Sequence, residues 1–236
     1  WDIESLSALR SVFQEALQLG YGTSTYCQNE EYSDIIRSLD WIFNKLFELF
    51  LESEEGSGIH IALIQETIDA GFELLQQYKI ENSREKKYIM SRLEPLIAQL
   101  SYFGSGRGGK EVSIYYTIKL MDFRACWAGD MGNIDQQLLS MGKAENAWTE
   151  LMKGTPTSTK VVRGDGTPES NIVVRMSSLE EQRRDEMGRL LCASAKILCE
   201  IKGSYEAGLV KARTGLEQIQ WVWGSHSRRK APLNVL

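Results

Sequence analysis

Along most of this chain apolar side chains recur every three to four residues, the spacing that sets them on one face of an α-helix. In the first stretch, Asp2 to Leu19, they are Ile3, Leu6, Leu9, Phe13 and Leu17, and the pattern ends at Gly20. A second helix starts near Ser33 and is apolar on almost every side, through Ile35, Ile36, Leu39, Trp41, Ile42, Phe43, Leu46, Phe47, Leu49, Phe50 and Leu51. Such a helix belongs in a core or an interface. The turn sequence SEEGSG, residues 53–58, closes it. A third helix, Ile59 to Tyr78, repeats Ile61, Ile64, Ile68, Phe72 and Leu75. Asn82 or Ser83 then caps a fourth, Arg84 to Tyr102, in which Pro95 removes a backbone donor and predicts a kink or a split.

From Gly108 to Gly132 apolar residues fall on nearly every face, among them Val112, Ile114, Tyr115, Tyr116, Ile118, Leu120, Met121, Phe123, Cys126 and Trp127. This pattern suits a central helix packed on several sides. Asn133 can cap the next helix, which runs through Met152 with Ile134, Leu138, Leu139, Met141, Trp148 and Leu151 apolar. After a stretch rich in Gly, Thr, Ser and Pro, Ser178 and Glu181 form a capping box for a helix reaching about Lys202, and Gly203 breaks it. The last helix, Ser204 to Trp223, carries Leu209, Ala212, Leu216, Ile219 and Val222 as its apolar face.

No convincing pair of alternating strands appears, so the expected fold is all-α. The expected organisation is N-terminal and middle helical subdomains over residues 1–154, a linker over 155–172 and a smaller helical C-terminal domain over 173–236. The glycine-rich GSGRGG at 104–109 matches the letters of a dinucleotide-binding loop. That loop requires a preceding strand and a parallel sheet. A helix precedes it here, so the segment reads as a hinge.

Charge adds polarity to this picture. Residues 1–56 hold eleven acids and three bases, a net −8, whereas residues 202–230 hold six bases and two acids, a net +4. Opposite ends of two copies can therefore attract, and acidification, which protonates carboxylates, is expected to weaken that attraction. Two basic groups are candidates for binding anionic lipid or RNA: Arg84, Lys86, Lys87 and Arg92 on the fourth helix, and Arg228, Arg229 and Lys230 in the tail. Trp221 and Trp223, beside the second group, are candidate interface residues. No run of about 18 apolar residues occurs, and the chain is expected to be soluble by itself and to meet membranes only peripherally.

The residues offer little catalytic chemistry. His60 and His226 are far apart in sequence, and the acid pairs Glu30 with Glu31, Glu54 with Glu55, and Glu180 with Glu181 fall on caps and turns. Cys27, Cys126, Cys192 and Cys199 are scattered, with no CxxC pair, which fits a reducing compartment better than zinc or a disulfide framework. The expectation is a protein with no enzymatic activity, no cofactor and no metal.

Several local patterns, taken in order, resemble the matrix proteins of orthomyxoviruses, the influenza and thogotovirus group. LDWI at 39–42 is similar to that family's Trp-containing second-helix segment, and ENSREKKYIMSRL at 81–93 resembles its charged turn and basic helix start. GGKEVSIYYT at 108–117 resembles the Gly/Ala-Lys-Glu-Val-Ser segment of the influenza proteins at a nearly matching distance from the chain start. Ala195 with Lys196, Glu206 with Ala207, and WGSHS at 223–227 recur with near-family spacing. Two stretches differ. PLIAQLSYF at 95–103 stands where the influenza proteins have a strongly basic helix, and their Cys/His cluster has no counterpart at 142–160.

The resemblance implies an all-helical structural protein of the virion that polymerises with itself beneath the envelope during assembly and budding. Its other implied partners are an anionic membrane surface, viral ribonucleoprotein or RNA, and the tails of envelope proteins. The implied location is the virion, the host cytoplasm, the inner face of the plasma membrane and the nucleus. The alternative from the residues themselves is a helical adaptor or scaffold that grips a cellular partner.

Overall fold

The computed structural model of the chain describes residues 2–21, 30–78, 82–103, 107–154, 160–162, 173–175 and 178–223. The protein is all-α. The helices among these residues are α1 (Ile3–Tyr21), α2 (Glu30–Glu52), α3 (Gly58–Gln77), α4 (Ser83–Phe103), α5 (Arg107–Asp130), α6 (Ile134–Gly154), α7 (Ser178–Glu200) and α8 (Tyr205–Trp223). Between α6 and α7 lie two three-residue strands, β1 (Lys160–Val162) and β2 (Val173–Arg175). They pair antiparallel with Val161 opposite Val174, a ribbon inside the segment expected to be a linker.

Local chemistry sets the helix ends. Asp2 Oδ1 accepts from Ser5 N–H at 2.7 Å, Ser57 Oγ from His60 N–H at 3.1 Å and Asn133 Oδ1 from Gln136 N–H at 3.1 Å, so each satisfies a free donor in a first turn. After α7, Gly203 takes φ +65°, a conformation that a side chain disfavours, and Ser204 N–H closes the turn onto Leu198 O at 2.8 Å. α4 is not split by Pro95. Its lost bond falls at the carbonyl of Ser91, on the exposed side of the helix, where water can replace it.

The chain divides into two compact units, Trp1–Phe123 and Arg124–Leu236. In the first, α3 packs on α1, α2 and α4. Its residues Leu63, Ile64, Thr67, Ile68, Phe72, Leu74 and Leu75 are buried, as are Leu6 of α1, Leu39, Ile42, Phe43 and Leu46 of α2, and Ile89, Leu93 and Leu96 of α4. Burying each large apolar side chain contributes about 1.5–3 kcal/mol. Gly71 leaves no room for a side chain between α2, α3 and α4: a Cβ there would lie 2.7 Å from Leu93 Cδ2 and 3.0 Å from Phe43 Cε2.

The hub is therefore α3, not the helix over 107–130 to which the apolar pattern assigned the centre. α5 buries Ser113, Ile118, Leu120, Met121, Ala125 and Ala128 but exposes Val112 and Tyr115. Within the first unit it is tied down by Ser113 Oγ, which donates to Ile97 O at 2.7 Å, and by Tyr116, whose ring stacks on Phe72 at 5.9 Å.

The second unit consists of the end of α5, α6, the ribbon, α7 and α8. The division of contacts thus falls inside α5, whereas the sequence pattern places a boundary at 155–172. The reason is that α6 packs on α7 and is pinned further by ion pairs, Lys202 with Asp135 at 2.6 Å and Lys211 with Glu145. α7 and α8 form an antiparallel pair whose backbones nearly touch. A Cβ on Gly215 would lie 2.9 Å from Gly188 O, and one on Gly208 would lie 3.1 Å from Ala195 O and closer still to Cys199 Sγ.

Candidate functional site

Two surfaces carry the exposed chemistry, and the first is the outer face of α4. Helical spacing puts Arg84, Lys87, Tyr88, Ser91 and Arg92 on one side of that helix, opposite the buried Ile89, Leu93, Leu96 and Leu100. Arg84 and Lys87 are exposed and Lys86 half-buried. None of the three forms an ion pair among the described residues. Arg84 and Lys86 sit in the first turn of α4 and Lys87 just after it, near the positive end of the helix dipole, where a cation is disfavoured and an anion is attracted.

Arg92 has a different role. Its guanidinium lies over the Phe47 ring at 4.2 Å and over the Tyr88 ring at 4.3 Å, and Tyr88 OH donates to Asn44 Oδ1 at 3.0 Å. The stack ties α4 to α2, so Arg92 joins the basic patch as a structural bracket held against two rings.

The second surface belongs to α8. The sequence pattern takes Leu209, Ala212, Leu216, Ile219 and Val222 as the apolar face, but α8 meets α7 through Gly208, Gly215 and, from that face, Ile219. Tyr205, Leu209 and Leu216 are left 67%, 50% and 36% exposed, with Ala212 between them half-buried. The spacing 205, 209, 212, 216 alternates four and three residues, the repeat of a coiled-coil seam. Glu206 and Arg213 flank this stripe two turns apart on one side, both exposed, and neither forms an ion pair among the described residues.

Trp221 and Trp223 lie in the last turn of α8 by their backbone. Arg228, Arg229, Lys230 and the 104–106 part of the expected hinge lie outside the described residues.

Titratable side chains also gather on α3, a grouping that helical periodicity does not single out. Arg10 of α1 binds Glu66 Oε2 at 3.0 Å and approaches Glu73 Oε2 at 3.7 Å, while Tyr116 OH donates to Asp69 Oδ1 at 2.8 Å. Burial holds Glu73 above the ordinary carboxylate range, although Arg10 opposes the shift. Burial, then the bond to Asp69, pushes the Tyr116 phenol far up, so it stays protonated and donating. The arrangement is a strut between α1, α3 and α5. His60 is enclosed as well: Nδ1 is 2.7 Å from Ser53 Oγ, and its ring packs between Phe50 and Phe103 at 4.9 and 5.4 Å. Ser53 O–H donates to Phe50 O, so its oxygen accepts from His60 Nδ1–H.

Among the described residues no group of His, Cys, Asp and Glu could hold a metal ion, and no helix is long and apolar enough to cross a membrane. No protein-family model, curated protein or solved structure matches this chain.

Proposed function

We propose that this chain is a structural protein of the matrix type, which assembles with itself against an anionic membrane surface and acts by binding and not by catalysis. The observation that carries the reading is the unpaired basic cluster of Arg84, Lys86 and Lys87 at the N-terminus of α4. Local stability gains nothing from cations at the positive end of a helix, so their placement suits an external anion such as a lipid headgroup or an RNA phosphate. The ordered likeness of residues 39–42, 81–93 and 108–117 to orthomyxovirus matrix segments supports the same reading, and so does the all-helical scaffold. On this reading its sites are the virion beneath the envelope and the inner face of the plasma membrane, with ribonucleoprotein and envelope tails as further partners.

Flotation of the full chain with phosphatidylserine-containing and purely phosphatidylcholine vesicles, followed by electron microscopy, tests it. The expected result is binding to the anionic vesicles and a protein coat on them. Reversing two charges with Arg84→Glu and Lys87→Glu should lower the bound fraction at least about tenfold, from about 1 kcal/mol per basic residue near an anionic surface. Equal binding to both vesicle types, or none to either, would sink the proposal.

A further inference from the structure

We propose that the outer stripe of α8 is the contact between two copies of this chain, packed antiparallel along their α8 helices. The inference rests on the self-assembly reading above and names the surface that reading lacks.

Three observations lead to it. The stripe of Tyr205, Leu209, Ala212 and Leu216 has coiled-coil spacing and lies beside the α7 seam, whose contacts are made by Gly208, Gly215 and Ile219. α8 is about 28 Å long at 1.5 Å per residue, enough for several layers of such a seam. The third observation selects the occupant. In an antiparallel pair, flanking positions on the same side of the two helices face each other, so Glu206 of one copy meets Arg213 of the second, and symmetry repeats the pair.

That same register sets Tyr205 against Leu216 and Leu209 against Ala212, large beside large at the ends and large beside small at the middle. One surface supplies both halves of every contact, as a two-fold interface requires. A parallel pairing would instead leave like charges level with each other. On another side of α8, Lys211 pairs with Glu145 of α6, which leaves the stripe itself open to the second copy.

A contact between two single helices falls below the roughly 1,200 Å² of a stable interface, so the dimer is expected to be weak and reversible. That strength suits a coat in which many such contacts act together.

Sedimentation velocity of the full chain over a concentration series tests the assignment. The wild type should show a reversible dimer. Leu209→Asp and Leu216→Asp should each weaken it at least about tenfold while leaving the thermal melt unchanged, because both side chains lie outside the core. Glu206→Arg alone and Arg213→Glu alone should each weaken it about tenfold by replacing two attractions with two repulsions. The combined variant restores both pairs with signs exchanged, and should return affinity to within about threefold of wild type.

A wild type that is monomeric throughout, aspartate variants that dimerise normally, or a combined variant that recovers nothing would overturn the assignment. Flotation on phosphatidylserine vesicles, run in parallel, separates the two proposals. Coating with no α8 dimer removes this inference and leaves the membrane reading standing. An α8 dimer that neither binds nor coats vesicles does the reverse.

Discussion

In residues 1–123 the helices are held apart by large side chains; in residues 124–236 they are drawn together by the lack of them. Phe43 and Phe72, the bulkiest fully enclosed side chains, fill the space around α3 with Leu6, Ile42, Leu46, Ile64, Leu93 and Leu96. Between α7 and α8 the corresponding positions are Gly188, Cys192, Ala195 and Cys199 facing Gly208, Gly215 and Ile219. The first arrangement buries its bulkiest apolar residues around α3, while Val12, Leu51, Ile59 and Tyr102 stay scattered at the surface. The second closes on backbone, and its large apolar residues on α8 remain at the surface. One unit thus suits a rigid platform for a basic face, and the other presents exposed apolar residues at the regular spacing of a helix seam.

The largest test of this contrast removes a ring from the first core. Phe72 stacks on Tyr116, lies 5.8 Å from Phe123 and carries the Lys119 ammonium at 4.6 Å. Phe72→Ala should cost about 3–5 kcal/mol in urea denaturation, and a loss below 1 kcal/mol would show that this core is not closed by volume. In the second unit the sensitive change is the opposite one, adding a methyl group. Gly215→Ala drives a Cβ toward a backbone carbonyl and should cost about 1–3 kcal/mol. Gly142→Ala, on α6 where a Cβ meets nothing within 4 Å, should instead stabilise by about 0.5–1 kcal/mol. Equal effects at the two glycines would deny the seam.

Removing the bracket on α4 is a smaller perturbation. Arg92→Ala should lower the stability of the first unit by about 1 kcal/mol through loss of its two ring contacts, and Arg92→Lys should recover only part of that.

The smallest effect concerns pH. Burial raises the folded-state values of Asp40 and Glu73 above the ordinary 3.8 and 4.5. Each raised value contributes stability that is fully present below the unfolded value and is lost as pH rises through the folded one. Urea midpoints should therefore show these two groups stabilising the first unit on mild acidification from neutral, and Glu73→Gln should flatten that slope. The charge attraction between copies has the opposite sign, weakening as its carboxylates take up protons. Acid that loosened the first unit and tightened assembly together would contradict both assignments.

How far the sequence could be read depended on the range of the interaction. The all-α class and the caps at Asn133 and Gly203 were legible because they depend on residues three or four apart, and the structure places both where the sequence does. The ribbon was missed because Val161–Val162 and Val173–Val174 are too short to alternate, and only their pairing makes them strands. Arg10 gave no sign of its role either, since Glu66 and Glu73 stand more than fifty residues away.

On α8 the sequence determined a helix with an apolar stripe, and it determined the glycines beside that stripe. It did not determine which of the two faces would be buried. Gly208 and Leu209 are neighbours in sequence and about 100° apart on the helix, and hydrophobic spacing alone favours burying the leucine. Only the tertiary structure decided for the glycine, because α7 offers Gly188, Cys192 and Ala195 at matching heights. Two helices with glycines at their closest contacts can approach until backbone meets backbone. The leucines were left outside by that choice, and with them the surface through which a second copy can bind.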